Sequence, residues 1–180
     1  MLLTHARRHA RVDAAGDLIP LEDQDRTAWV AAETAEGIGL VEHALRSGPL
    51  GPFQLQAAIA AVHAEAVTWA DIDWPQILVL YRMLERVAPS RTVTLNLAVA
   101  LAMASTPAEG LALVDELLQD PQMQRNHRAW AVQGHLLERI GDGERAGVAF
   151  RRAASMTRSI PEQRFLHRCA SRAAPGDQAG

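Results

Sequence analysis

The stretch Trp130-Ala131-Val132-Gln133-Gly134-His135-Leu136-Leu137-Glu138-Arg139-Ile140-Gly141-Asp142-Gly143-Glu144-Arg145-Ala146-Gly147-Val148-Ala149-Phe150-Arg151-Arg152-Ala153 decides the fold. Its apolar residues recur at spacings of three and four, the signature of amphipathic helix, and β-branched alternation is missing. Gly141-Asp142-Gly143 interrupts the pattern with turn and helix-start chemistry, so the stretch reads as two helices joined by a short turn. Gly134 and Ala146 are small enough to let the two backbones approach closely, while Phe150 is large enough to fill the space between this pair and its neighbour. A hairpin of this kind cannot bury its apolar faces alone and must stack on others.

The spacings of Trp130, Gly134, Leu137, Gly141-Asp142, Ala146, Phe150 and Ala153 are those of a tetratricopeptide-like unit of about 34 residues. A weaker unit precedes it, with Asn96-Leu97-Ala98, Leu101, Gly110, Val114 and Leu117 in matching places and Pro121 closing its second helix. A third is partial: Tyr81, Leu84 and Pro89 match, but the segment 66–72 is longer than the repeat turn. Turn and cap signals elsewhere predict nine helices, over residues 2–13, 26–46, 52–65, 74–88, 91–104, 107–118, 124–140, 143–157 and 161–172. Thr106-Pro107-Ala108-Glu109 and Ser159-Ile160-Pro161-Glu162 both carry capping-box spacing with proline in the first turn. The expected architecture is all-α, with tetratricopeptide-like helical hairpins forming a short right-handed solenoid. Residues 1–50 form an N-terminal cap and linker, 51–172 the repeats with their C-terminal capping helix, and 173–180 a disordered tail.

Composition removes several function classes. The 180 residues include 18 basic ones, every one of them arginine, so a Walker-type phosphate loop and a lysine Schiff base are excluded. A net charge of −3 offers no broad positive field for nucleic acid. Cys169 is the single cysteine, which excludes an intramolecular disulfide, a CxxC zinc site and an iron–sulfur cluster and fits a reducing cytoplasm. The N-terminus turns polar at Thr4 and carries Arg7, Arg8 and Arg11, unlike a signal peptide, and no apolar run is long enough to span a membrane. No carboxylate pair, triad or cofactor motif appears, so neither catalysis nor a cofactor is expected.

The strings Leu21-Glu22-Asp23-Gln24-Asp25-Arg26, Gly51-Pro52-Phe53-Gln54-Leu55-Gln56-Ala57-Ala58-Ile59-Ala60-Ala61-Val62-His63-Ala64 and Asn96-Leu97-Ala98-Val99-Ala100 resemble the C-terminal extension of a group of bacterial extracytoplasmic-function sigma factors. In that group a tetratricopeptide-like domain follows the two promoter-binding domains, and the gene often neighbours one for a small DGPF-type protein. The resemblance runs from about Leu2 to Leu166. It implies a regulatory protein-interaction domain that docks on the sigma domains or on core RNA polymerase. The domains that read the −10 and −35 elements are absent from this sequence, so contact with DNA would come only through them, and residues 1–50 would lead to them. Runner-up readings are a free-standing tetratricopeptide scaffold for a peptide segment and a small-molecule sensor.

Candidate sites are few. His5 and His9 are four apart, a spacing that lets two imidazoles share a metal, but no third ligand is near and the adjacent arginines repel a cation. The acidic run Glu22-Asp23-Asp25 most simply supplies an N-cap and first-turn charge to the next helix, while Asp23, Gln24, Asp25 and Arg26 together also make a candidate docking segment. On the helix at 52–65, Gln56 and His63 fall on one face with apolar arcs to either side. Such a pair is either a buried bridge to another helix or the floor of a groove, which Trp69 and Trp74 could rim.

Overall fold

A computed structural model describes residues 1–173, and among them the protein is all-α: ten α-helices and four short 3-10 helices, with one isolated β-bridge, Val12 to Leu18. The α-helices are α1 (Leu2–Ala6), α2 (Ala31–Arg46), α3 (Pro52–Glu65), α4 (Trp74–Val87), α5 (Arg91–Ala104), α6 (Pro107–Leu117), α7 (Pro121–Gln124), α8 (His127–Arg139), α9 (Gly143–Met156) and α10 (Ile160–Ala173). The chain divides into two compact units at Thr94/Leu95, inside α5.

The second unit contains the best repeat. Asn126 caps α8 by accepting from the Arg128 N–H, and Asp142 caps α9 by accepting from the Arg145 N–H. Between them Gly141 adopts φ +83°, and the Asp142 and Gly141 N–H groups donate to the Leu137 and Glu138 carbonyls at 2.9 and 3.1 Å. That pair of bonds is a Schellman stop, which favours glycine because a Cβ is strained at positive φ. A Cβ on Gly134 would lie 2.7 Å from the Phe150 ring, so the small residue is the seat of the large one. Phe150 thus packs across Gly134 and edge-on to His135 within its own hairpin, not only toward a neighbouring pair as its size suggested. One core joins Ala98, Val114, Leu137, Ala146, Phe150, Ala153 and Leu166, each at most 2% exposed. In the weaker unit α6 lies so close to α5 that a Cβ on Gly110 would meet the Ala98 carbonyl oxygen at 2.5 Å. Within this unit α6 packs on α8, α8 on α9 and α9 on α10, the sequential packing of helical repeats.

Here the helix expected over 124–140 is two elements. Asp120 starts α7 with Pro121 at its first position, and Asn126 restarts the chain as α8, so Pro121 opens a short helix as well as closing α6. The capping spacing at Thr106 is realised, its hydroxyl accepting from the Glu109 N–H. At Ser159, however, the Glu162 carboxylate is occupied by the Thr157 hydroxyl and the His127 ring.

In the first unit α1, α2 and α3 pack on one another, and α3 packs on α4. Leu3, Val41, Ala58 and Ala61 share one apolar cluster, so helices from residues 1–50 pack directly on α3. The helix expected over 2–13 ends at Ala6. Residues 8–10 form a 3-10 turn, and the Asp13 carboxylate accepts from the Ala15 and Asp17 N–H groups around Gly16 at φ +78°, reversing the chain. The helix expected over 26–46 is also broken. Residues 26–28 form a 3-10 turn, Trp29 and Val30 are extended, and the Val30 N–H donates to the Ala6 carbonyl, a tertiary bond that a continuous helix would forgo. The long 66–72 connection holds a 3-10 turn with a Thr68–Asp71 capping box. Ala173 is the last residue of α10, and the rest of the expected tail lies outside the described residues.

Candidate functional site

The first unit holds a half-open cavity of about 280 Å³ among α1, α3, α4 and the 21–30 segment. Leu3, Leu21, Ile59, Ala60 and Ala64 supply apolar wall, and Thr4, Arg7, Trp29, Gln56, His63 and Tyr81 supply polar groups. Among the described residues no carboxylate lines it. Gln56 and His63, placed on one helical face by their seven-residue separation, do line the same cavity; Gln56 is exposed and His63 largely covered.

The His63 ring meets Trp74 edge-on at 5.3 Å, and Trp74 meets Trp69 at 5.2 Å. The two tryptophans therefore buttress His63 and are not part of the cavity wall. Burial first, and then the charges of Arg26 and Arg7, push the His63 pKa down to about 4, so the ring is neutral at physiological pH. Its Nδ1 is buried without a hydrogen-bond partner, as is the Trp29 indole N–H. Unpartnered buried polar atoms are uncommon in native proteins and mark this neighbourhood out.

The 21–26 segment is woven into the same unit. Gln24 is buried, its side-chain amide donating to the Ile19 carbonyl at 3.1 Å. Asp25 accepts from the Thr27 N–H and hydroxyl, which lowers its pKa and caps the 3-10 turn. Arg26 reaches across to α3, Nη1 donating to the His63 and Ala66 carbonyls at 2.6 and 2.9 Å, while its guanidinium stacks 4.7 Å over Trp29. These are the carbonyls left open at the end of α3, so Arg26 serves as its C-terminal cap. Asp23 is exposed at the end of the 21–23 turn.

Sequence reasoning missed Arg7, Trp29 and Tyr81. Arg7 read as one of several basic residues on a helix, yet α1 ends before it and its half-buried guanidinium lines the cavity. Burial depresses its pKa, and the charges acting on it are those of Arg11 and Arg26, both positive. Burial raises the Tyr81 pKa, keeping its hydroxyl protonated and able to donate. His5 and His9 do not share a helical face: the His5 Nδ1 stands 3.0 Å from Glu33, whose carboxylate also accepts from Arg8 Nη1 at 2.9 Å. Cys169 is buried, and that burial pushes its thiol up, away from the thiolate a nucleophile needs. Among the described residues no cluster of His, Cys, Asp and Glu is placed to hold a metal, and no helix is long and apolar enough to cross a membrane.

Residues 1–45 match the model of a family of unknown function (DUF6596). Uncharacterized protein R00370 of Rhizobium meliloti (strain 1021) is 38% identical over 166 residues, which cover 92% of this chain and 39% of the relative. The chain thus spans about two fifths of the length of the curated relative it matches. No solved structure matches it.

Proposed function

We propose that this chain is a regulatory protein-interaction domain of a longer, cytoplasmic bacterial transcription initiation factor of the extracytoplasmic-function sigma type, acting by docking on the promoter-binding domains or on RNA polymerase. The observation that carries the reading is the relative's length: nearly all of this chain aligns with well under half of it, the relation of a domain to a multidomain protein. The resemblance of residues 21–26, 51–64 and 96–100 names the kind of protein. Stacked helical hairpins suit the role, because they display extended surfaces for protein partners, an argument from fold analogy.

The test is in vitro transcription with core RNA polymerase, using the full-length natural protein and a version truncated before the region matching this chain. At least a tenfold loss of promoter-dependent transcript on truncation, reversed when the domain is restored in cis, is the expected outcome. Equal activity of the two forms, or a natural protein without promoter-binding domains, would overturn the reading in favour of a peptide-binding scaffold.

A further inference from the structure

We propose that the cavity lined by Arg7, Trp29, Gln56, His63 and Tyr81 binds a small organic monocarboxylate with a compact apolar body. The inference stands apart from the proposed function, since it rests on the first unit alone.

Charge sets the sign of the ligand. Arg7 is the one charged group in the lining, the charges that act on it are positive, and no carboxylate among the lining residues neutralises it. A half-buried guanidinium in that position lacks its natural counter-ion, and a carboxylate matches its fork of donors bidentately. The remaining polar groups favour the same partner. The Tyr81 hydroxyl, the Gln56 amide and the Thr4 hydroxyl can all donate, and beside them the buried Trp29 indole N–H has no acceptor of its own.

Size and shape set the rest. A volume of about 280 Å³ falls just under the range of roughly 300–1,000 Å³ usual for drug-sized ligands. The occupant is therefore a small molecule, not a nucleotide or a helix. Leu3, Leu21, Ile59, Ala60 and Ala64 form a wall of hydrocarbon, which rewards an apolar body behind the acid group and disfavours a bare inorganic anion.

Two-dimensional ¹H–¹⁵N spectra of the whole chain resolve one indole resonance for each of its four tryptophans, and a Trp29→Phe spectrum assigns the one of interest. The probes are butanoate, hexanoate and benzoate, the matching neutral amides, and inorganic phosphate. The expected result is a saturable shift of the Trp29 indole signal with at least one of the three acids, at least tenfold tighter than with its amide. The preference for acid over amide should vanish in Arg7→Met, which keeps the apolar stem. The Trp130 indole signal serves as the internal reference and should stay in place.

No saturable shift by any of the acids up to about 10 mM, equal affinity for acid and amide, or a stronger response to phosphate than to the acids would each overturn the proposal. So would an unchanged acid preference in Arg7→Met. The acid–amide comparison is made on the unaltered protein, so it decides the matter even if the variant fails to fold.

Discussion

In the unfolded chain His63 takes up a proton near its ordinary 6.5, whereas in the fold it does so only near 4. Between those values the unfolded state binds a proton that the folded state refuses, so stability is full above about pH 6.5 and falls as the pH drops toward 4. At about 1.36 kcal/mol per unit, the loss at that one residue is about 3 kcal/mol. Urea unfolding of the protein and of His63→Phe at a series of pH values should show the variant gaining on the parent by about that amount between pH 7 and 4. Parallel curves would mean that the ring is hydrated in the fold. Phe150 is the second decisive residue: fully buried on Gly134, its replacement by alanine should cost about 3–5 kcal/mol in the same assay. Gly134→Ala should also destabilise, because the new methyl would stand 2.7 Å from a ring with no room to retreat in a filled core. A loss below about 1 kcal/mol for Phe150→Ala would show that the hairpin is packed some other way.

The elements are punctuated by side chains that close their open ends. Asn126 and Asp142 cap the two helices of the best repeat, and Asn126→Ala or Asp142→Ala should each cost about 0.5–2 kcal/mol without altering helix content by circular dichroism. Arg26 does the corresponding work at the far end of α3 through the His63 and Ala66 carbonyls. Arg26→Met keeps the contact with Trp29 but removes the donors, and it should lower the melting temperature by several degrees, about 1–3 kcal/mol for a charged hydrogen-bond donor. An unchanged melting curve would release Arg26 from this role and return the 21–26 segment to the list of free surfaces. The ion pair of Arg172 with Glu138 joins α10 to α8 and holds the Glu138 carboxyl below its ordinary range, yet Arg172 is 62% exposed. Its removal should therefore change stability by less than about 1 kcal/mol.

Across the whole molecule, local stability should follow the distribution of buried residues. The α8 and α9 helices carry the densest set of fully covered side chains, whereas residues 11–16 and 45–50 are exposed throughout. Hydrogen exchange read by mass spectrometry should find amide protection highest in α8 and α9 and lowest in those two connections. Slow exchange at residues 45–50 would contradict that ranking.

Much of this is legible in the amino-acid sequence itself. Local chemistry determined the helices from 52 onward apart from the break between α7 and α8, because proline at a first turn, an Asp, Asn or Thr cap and a glycine stop act within a few residues of themselves. That Phe150 seats on Gly134 was not readable, since its size pointed only toward the neighbouring pair, but the close approach of the two helices at Gly134 and Ala146 was equally legible from their small size. So was the shared placement of Gln56 and His63, which follows from helical geometry alone. Most of what the sequence could not decide lies in the first unit. Periodicity runs unbroken through residues 2–13 and 26–46, yet the Val30 N–H pairs with the Ala6 carbonyl across the fold and the Asp13 carboxylate turns the chain locally, so both helices are cut where these bonds outweigh propensity. Arg7, Trp29 and Tyr81 come from three separate segments and meet Gln56 and His63 only when α1, α3 and α4 pack together. A one-dimensional pattern records which face of a helix is apolar. Which groups are brought together across a cavity, and which charge is left there without its counter-ion, is decided by packing in three dimensions.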